Sequence, residues 1–95
     1  MNFYGMLKEN SLQGKVVLIT GGGTGLGKSM GKYFMELGAN LIITSRKQEI
    51  LDQTAEEFLK YSGDILPLTG DVRSTSDVKK VIKESLEIFD KIDIL

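Results

Sequence analysis

The sequence has no cysteine, no histidine and only one proline among its 95 residues. Without cysteine the chain forms no disulfide, zinc–thiolate site or thiol nucleophile. Without histidine it contains neither a Ser-His-Asp triad nor a histidine ligand for a metal ion. We therefore predict no metal site in these residues, and any activity has to draw its chemistry from other groups.

Neither sign of charge is in excess. The 12 basic and 13 acidic residues give a net charge of −1, which argues against nucleic acid or an anionic membrane surface as the main partner. No apolar run approaches the roughly 18 residues of a membrane span. The first residues contain Lys8 and Glu9 and lack the apolar core of a secretory signal. We therefore expect no nucleic-acid partner, no membrane partner and a cytoplasmic location.

Short apolar runs alternate along the chain with apolar residues at helical spacing. The runs predict strands at residues 16–19, 41–43 and 65–69. The helical spacing predicts helices at residues 26–37, 50–59 and 78–89. A further apolar run, expected to start a fourth strand, begins at Ile92. This order predicts an α/β fold with a parallel sheet and right-handed helical crossovers.

Individual residues mark where these elements end. Gly38 is the predicted C-terminal cap of the first helix. Ser74 to Ser76 supply capping hydroxyls before the third helix, with Asp77 in its first turn. Pro67 lacks a backbone N–H, so the third strand is expected to have it at a sheet edge or a strand start.

A glycine-rich turn, Thr20 to Gly27, joins the first predicted strand to the first helix. Glycine lets the backbone turn sharply and approach a ligand closely, and the helix N-terminus offers free N–H groups to a phosphate. Five of the seven residues from Gly21 to Gly27 are glycine. A plain turn does not need so many, because each glycine costs backbone entropy. We therefore predict a phosphate-binding loop.

One motif that fits this loop is the P-loop. Gly22 to Ser29 match the pattern G-x-x-x-x-G-K-S, in which Lys28 would contact the β- and γ-phosphates and Ser29 a magnesium ion. Such a site also needs an acidic residue at the end of a later apolar strand. Asp71 and Asp93 are poor candidates for that position, so a P-loop NTPase is kept as the alternative.

The second motif is a dinucleotide turn. The common fingerprint G-x-G-x-x-G is absent, because Leu26 stands where its third glycine is expected. The pattern present is T-G-x-x-x-G-x-G, and with it the sequence resembles the short-chain dehydrogenase/reductase family. The resemblance implies that the loop lines the pyrophosphate and ribose of a dinucleotide through Gly21, Gly22, Gly23, Thr24, Gly25, Leu26 and Gly27.

Ser45, Arg46 and Lys47 follow the second predicted strand. An NAD-binding sheet has an Asp or Glu here, which bonds the ribose 2′-hydroxyl. An acid would repel a 2′-phosphate, whereas a hydroxyl and an arginine bind it through charge-assisted hydrogen bonds. These residues predict NADP(H) rather than NAD(H). The alternative is that Arg46 and Lys47 only solvate the start of a helix.

Asp71 and Val72 follow the third predicted strand. In the short-chain family an Asp–Val pair at this place borders the adenine, and the resemblance implies that Asp71 accepts a hydrogen bond from the exocyclic amine. The alternative is that Asp71 is a turn residue after Gly70. The resemblance covers about residues 10–95 and is strongest to 2,4-dienoyl-CoA reductases, through Asn10–Lys15, Ile19–Lys28 and the Ser-Arg-Lys string.

The resemblance implies a Rossmann-like doubly wound parallel sheet in three α/β/α layers, of which this chain forms the N-terminal part. Residues 15–95 are the predicted NADP-binding half-domain, and residues 1–14 are a predicted N-terminal extension. The family's Asn-Asn-Ala-Gly stretch and its late Tyr-x-x-x-Lys pair are not in this sequence. We therefore predict no catalytic residue here and no activity for the 95 residues alone.

The implied activity of the full-length enzyme is NADPH-dependent reduction of 2,4-dienoyl-CoA esters in unsaturated fatty-acid β-oxidation. Its implied partners are an acyl-CoA substrate and further copies of itself in a homo-oligomer, with a tetramer expected. Another short-chain reductase, such as an enoyl or oxoacyl reductase, is the alternative within the family.

Overall fold

Three parallel strands form the centre of the structure. A computed structural model describes residues 11–21 and 25–93. In these residues the strands are hydrogen-bonded in the order β1-β2-β3, with the bounds β1 Val16–Thr20, β2 Asn40–Ser45 and β3 Ile65–Thr69. Ile42 of β2 lies between Leu18 of β1 and Leu66 of β3 in the register. The predicted parallel sheet is confirmed.

Helices connect the strands and cover both faces of the sheet. Their bounds are α1 Gly25–Glu36, α2 Gln48–Glu57 and α3 Thr75–Phe89, and a short 3₁₀ turn at Phe58–Lys60 follows α2. Met35 of α1 and Leu51 of α2 belong to one buried cluster, whereas Val81 of α3 belongs to another. The described elements therefore form the three predicted layers. None of the helices in the described ranges is long and apolar enough to cross a bilayer.

Strand β2 supplies side chains to both clusters. Successive side chains of a strand point to opposite faces, so Leu41 and Ile43 pack with Leu51, whereas Ile42 packs with Val81. The three β2 residues are 0% exposed. Burying an aliphatic side chain of this size contributes about 1.5–3 kcal/mol. The continuous apolar run in the sequence thus reflects a strand that is covered on both faces.

The predicted end residues hold their expected positions. After α1, Gly38 has a φ of 94°, a left-handed conformation that glycine adopts without strain. Before α3, the Ser74 hydroxyl accepts a hydrogen bond from the Asp77 N–H at 3.3 Å. After α3, Asp90 has a φ of 65°. Pro67 lies in β3, which pairs only with β2 in the described part of the chain and is therefore an edge strand there.

The segment after α3 contacts the free side of β1. Ile92 and Asp93 are not in a strand, and the other two residues of the expected fourth strand, Ile94 and Leu95, lie outside the described residues. The Asp93 N–H donates to the Val16 carbonyl oxygen, and the Val16 N–H donates to the Asp93 carboxylate, both at 2.8 Å. A side chain therefore satisfies the β1 backbone where a fourth strand was expected to begin.

The segment before β1 also packs on the fold. Residues 11–14 form a turn, and the Leu12 N–H donates to the Leu37 carbonyl oxygen at 2.9 Å. Leu12 packs against the buried cluster under α1 and α2. The division into an extension of residues 1–14 and a half-domain of residues 15–95 stays a prediction, since residues 1–10 lie outside the described ranges.

Gly63 is the glycine at which the structure leaves least room. A Cβ atom built there would lie 2.1 Å from the Ala39 carbonyl oxygen. At Gly31 in α1 the nearest atom would be the tip of the Leu41 side chain, at 2.9 Å. A side-chain tip can shift, whereas the backbone between α1 and β2 cannot shift without loss of sheet hydrogen bonds.

We expect Gly63→Ala to lower the free energy of unfolding by about 1–3 kcal/mol, as overpacking does in a well-packed site. Gly31→Ala is the matched control. Its smaller clash is offset by the gain of up to about 1 kcal/mol in helix propensity, so its change stays smaller. Urea denaturation followed by circular dichroism measures both, and a Gly63→Ala midpoint equal to the wild-type value contradicts the close approach to Ala39.

The contact of Asp93 with Val16 makes stability depend on pH. The Val16 N–H, assisted by the Lys91 ammonium 3.2 Å away, holds the pKa of the Asp93 carboxyl below its usual value. A depressed pKa in the folded state stabilises the protein above the unfolded pKa of about 3.9. That contribution is lost as the pH falls through the folded pKa.

We therefore expect Asp93→Asn to reduce the loss of stability on acidification, because the amide does not titrate but keeps the shape of the side chain. Urea midpoints measured from about pH 2 to 6 test this. Glu87→Gln, on the exposed surface of α3, is the control. Equal pH dependence in the wild-type and Asp93→Asn chains would show that the carboxylate does not couple to folding.

Candidate functional site

The carboxyl ends of the three strands meet at one edge of the sheet, because parallel strands all run in one direction. A depression of about 350 Å³ opens there. Its lining includes Gly21, Ser45, Arg46, Asp71 and Val72 from the predicted site, together with Thr44, Gly70 and Arg73. The structure thus brings residues from the ends of all three strands into one place.

The glycine turn begins at this edge. Gly21 has a φ of 68°, and its N–H donates to the Thr44 carbonyl oxygen at 2.9 Å. Gly25 has a φ of 56° and is the first residue of α1, so a side chain at either glycine would be strained. The first N–H groups of a helix have no partner within the helix, and α1 is the next described element after β1.

The remaining residues of the predicted loop fall in two groups. Leu26 and Gly27 lie in the first turn of α1 and are not among the residues that line the depression, and Leu26 is 76% exposed. Gly22, Gly23 and Thr24 were also predicted to contact the cofactor, and they lie outside the described residues. The described part of the loop is therefore its two ends.

The end of β2 carries the cationic side of the depression. The Ser45 hydroxyl accepts a hydrogen bond from the Lys47 N–H at 3.3 Å, which holds the hydroxyl beside the turn. Arg46 and Lys47 are exposed, and neither forms an ion pair within the described ranges. Lys47 is also the N-cap residue of α2, without a side-chain cap. Two cations and a hydroxyl are thus available to an anion.

The end of β3 carries a carboxylate that is held in a fork. The Arg73 backbone N–H and Nε donate to Oδ1 of Asp71 at 2.9 and 3.1 Å, and Nη2 donates to Oδ2 at 3.1 Å. These bonds favour the charged form and hold the pKa of the Asp71 carboxyl below its usual value. Arg46 acts in the same direction with a smaller effect. Asp71 is therefore an ionised acceptor at neutral pH.

Hydrogen bonds also fix the backbone of this loop. The Asp71 N–H donates to Oδ2 of Asp77 at 2.9 Å, and the Asp71 carbonyl oxygen accepts from the Ser74 N–H at 2.9 Å. The Gly70 N–H donates to the Ser45 carbonyl oxygen at 3.0 Å. The loop after β3 is thereby bonded to β2 on one side and to the start of α3 on the other.

An apolar hollow of about 190 Å³ adjoins the depression on the α3 face of the sheet. Leu18, Val78 and Val81 contribute to its lining, and it shares Thr44 and Asp71 with the depression. Thr44 is 3% exposed, and its hydroxyl has no hydrogen-bond partner within the described residues. Leaving a buried hydroxyl unpaired costs about 1–3 kcal/mol.

Sequence reasoning missed three residues that line the depression, namely Thr44, Gly70 and Arg73. Arg73 had a detectable signal, because an aspartate bonds readily to the backbone two residues later. Thr44 had no such signal, because threonine is common in strands. The alternation of side chains along a strand does not tell which face borders a ligand.

Lys28 does not face the depression. Its ammonium forms an ion pair with Glu57 at the C-terminal end of α2, and it lines a separate hollow together with Ser29, Phe58 and Tyr61. These positions disagree with the P-loop alternative, which requires Lys28 at the phosphates.

We expect Thr44→Val to leave the fold intact and to raise the free energy of unfolding by up to about 1–3 kcal/mol, because it replaces an unpaired buried hydroxyl with a methyl group. Thr44→Ala, which also removes the methyl group and leaves a cavity, is the matched control and should destabilise. Urea denaturation measures both. A destabilised Thr44→Val chain would show that the hydroxyl has a partner, such as an internal water.

Comparison of the sequence with known proteins finds relatives that are named as 2,4-dienoyl-CoA reductases. The chain is 43% identical over 89 residues to "Probable 2,4-dienoyl-CoA reductase 3 [(3E)-enoyl-CoA-producing]" of Caenorhabditis elegans, covering 93% of this chain and 26% of that protein. It is 38% identical over 84 residues to "Probable 2,4-dienoyl-CoA reductase [(2E)-enoyl-CoA-producing]" of Bacillus subtilis, covering 88% and 33%. The chain thus spans about a quarter to a third of these relatives.

A solved structure, 3-ketoacyl-(acyl-carrier-protein) reductase from Brucella melitensis complexed with NADH, superposes with a TM-score of 0.80 at 36% identity, covering 88% of this chain and 34% of that one. The family model for short chain dehydrogenase matches residues 15–95. This match, together with the position of Lys28, overturns the P-loop NTPase alternative. The chain belongs to the short-chain dehydrogenase family, whose members are oxidoreductases of the Rossmann fold.

Proposed function

We propose that this chain is the NADP(H)-binding part of a 2,4-dienoyl-CoA reductase. The observation that carries the cofactor choice is at the end of β2, where Ser45, Arg46 and Lys47 stand together. The two cations are exposed and form no ion pair within the described residues. An NAD-binding sheet has a carboxylate at this place for the 2′-hydroxyl.

A 2′-phosphate suits this corner of the depression electrostatically. The phosphate brings up to two negative charges, and Arg46 offers a planar fork of N–H donors to its oxygens. The Ser45 hydroxyl already accepts from the Lys47 N–H, so its own proton is free to be donated. Lys47 adds a second charge next to the first turn of α2, whose N-terminus also favours an anion.

The other parts of the cofactor are assigned to the glycine turn, the start of α1 and the end of β3. Gly21 and the start of α1 border the pyrophosphate, where backbone N–H groups and the helix dipole favour an anion. The same proposal includes the centre of the loop, Gly22 to Thr24, which lies outside the described residues, and its end, Gly25 to Gly27. Asp71, with its carboxylate at the end of β3, accepts from the adenine amine, and Val72 lies beside it.

The substrate assignment rests on the two relatives named as 2,4-dienoyl-CoA reductases. In such a reaction the bound nicotinamide supplies the hydride, and the protein's task is to hold it against the acyl chain. The residues of this chain bind and orient the cofactor in the proposal and contribute no catalytic side chain. A role in unsaturated fatty-acid β-oxidation follows from this substrate. Cytoplasmic location, tetramer formation and inactivity of the 95 residues alone stay predictions.

Another short-chain reductase is the second candidate. It is favoured by the likeness to the ketoacyl reductase from Brucella melitensis at 36% identity. Because the proposal assigns the depression to cofactor binding alone, the two candidates differ in parts that this edge of the sheet does not contain. That structure is a complex with NADH, which makes the cofactor preference of this chain the more informative measurement.

We expect the chain to bind NADP⁺ more tightly than NAD⁺ and Arg46→Ala to reduce this preference by about 10- to 100-fold, the value of a charge-assisted hydrogen bond. Isothermal titration calorimetry with the two dinucleotides measures the preference. Lys28→Ala, which removes a cation outside the depression, is the control and should keep the wild-type preference. Tighter binding of NAD⁺ by the wild-type chain would overturn the NADP(H) assignment.

A further inference from the structure

Arg73 leaves one position open on the Asp71 carboxylate. A carboxylate has about four lone-pair positions for hydrogen bonds. The Arg73 fork occupies two on Oδ1 and one on Oδ2. Within the described residues no other group donates to this carboxylate, and Asp71 lines the depression. One acceptor position, on Oδ2, is therefore available to a ligand.

From this geometry we propose that Arg73 is a positioning residue, which aims the free lone pair of Asp71 at a single N–H donor and so selects a 6-aminopurine. The proposal rests on the proposed function, because it takes the ligand to be a purine dinucleotide. A base without the exocyclic amine would leave the aimed lone pair unpaired in the complex. Arg73 would thus set base preference although it does not itself touch the base.

The fork restrains the side chain rather than the loop. The Asp71 backbone is held separately, through its N–H to Asp77 and its carbonyl oxygen to the Ser74 N–H. Removing the Arg73 side chain keeps those bonds, and it keeps the Arg73 backbone N–H that donates to Oδ1. What is lost is the pair of guanidinium bonds that fixes the rotation of the carboxylate.

Among the described side chains near Asp71, only Arg73 forms hydrogen bonds that restrain its carboxylate. The Arg73 side chain is 72% exposed and that of Asp71 is 28% exposed, so the fork lies at the mouth of the depression. Arg46 acts on Asp71 only through its charge. Asp77 is the nearby carboxylate, and its Oδ2 is occupied by the Asp71 N–H. Arg73 is therefore the side chain whose hydrogen bonds fix the orientation of Asp71.

The test compares two ligands that differ only in the amine, adenosine 2′,5′-bisphosphate and purine riboside 2′,5′-bisphosphate. Titration calorimetry of the full chain gives the ratio of their affinities. We expect the wild-type chain to prefer the adenine ligand and Arg73→Ala to lower that preference by about 5- to 10-fold. Arg73→Lys keeps the charge but has no planar fork, so it should restore little of the preference.

Lys83→Ala, a loss of one exposed cation on α3, is the matched control and should keep the wild-type ratio. A purely structural role for Arg73 would weaken both ligands equally and leave the ratio unchanged, which would overturn the proposal. A rise in adenine affinity in Arg73→Ala would also overturn it, since Arg73 would then block the carboxylate. If the wild-type chain prefers the adenine ligand and Arg73→Ala keeps the same affinity ratio, the role of Arg73 is overturned and the proposed function stands. If the wild-type chain binds neither ligand, the role of Arg73 and the proposed function both fail.

Discussion

Strand β2 is hydrogen-bonded to a neighbour on each side and covered on each face, and the candidate site depends on that arrangement. Its pairing continues one residue past the neighbouring strands, because the Gly21 N–H bonds to the Thr44 carbonyl oxygen and the Gly70 N–H to that of Ser45. The loops that leave β1 and β3 are thus fixed by backbone bonds to a buried strand. The backbone positions of the residues that begin those loops are therefore fixed by β2 and not by the packing of their own side chains.

The sequence patterns that reflect burial were sufficient to predict the three strands of the described sheet. The apolar run from Leu41 to Ile43 predicted a strand covered on both faces, and its residues are 0% exposed. Turn chemistry predicted Gly38 and Ser74 because each position demands a particular conformation or hydroxyl. The Asp93–Val16 bridge could not be predicted, since it joins residues 77 positions apart. The apolar run that begins at Ile92 predicted a fourth strand, whereas the described residues of that run, Ile92 and Asp93, are not in a strand.

Site residues were predictable from the sequence where a residue type has a single common role at its position. They were not predictable where the role depends on side-chain rotamers. Serine followed by two cations after a buried strand indicates an anion, and the structure places two of these three residues, Ser45 and Arg46, on the depression. The fork between Asp71 and Arg73 needs two side chains to adopt matching rotamers, which spacing does not reveal. The same holds for Thr44, which lines an apolar hollow that the spacing of residues does not predict.

The overall charge of −1 does not describe the depression, because the local charges there are unbalanced. Arg46 and Arg73 are exposed, and among the residues that line the depression these two cations outnumber the one carboxylate, that of Asp71. Exposed charges of this kind add little to folding stability, since water screens them. They can therefore change the ligand that is preferred while the buried strand that supports them stays the same. We therefore expect stability to depend on β2 and its two apolar faces, and ligand preference to depend on the few polar residues at the depression.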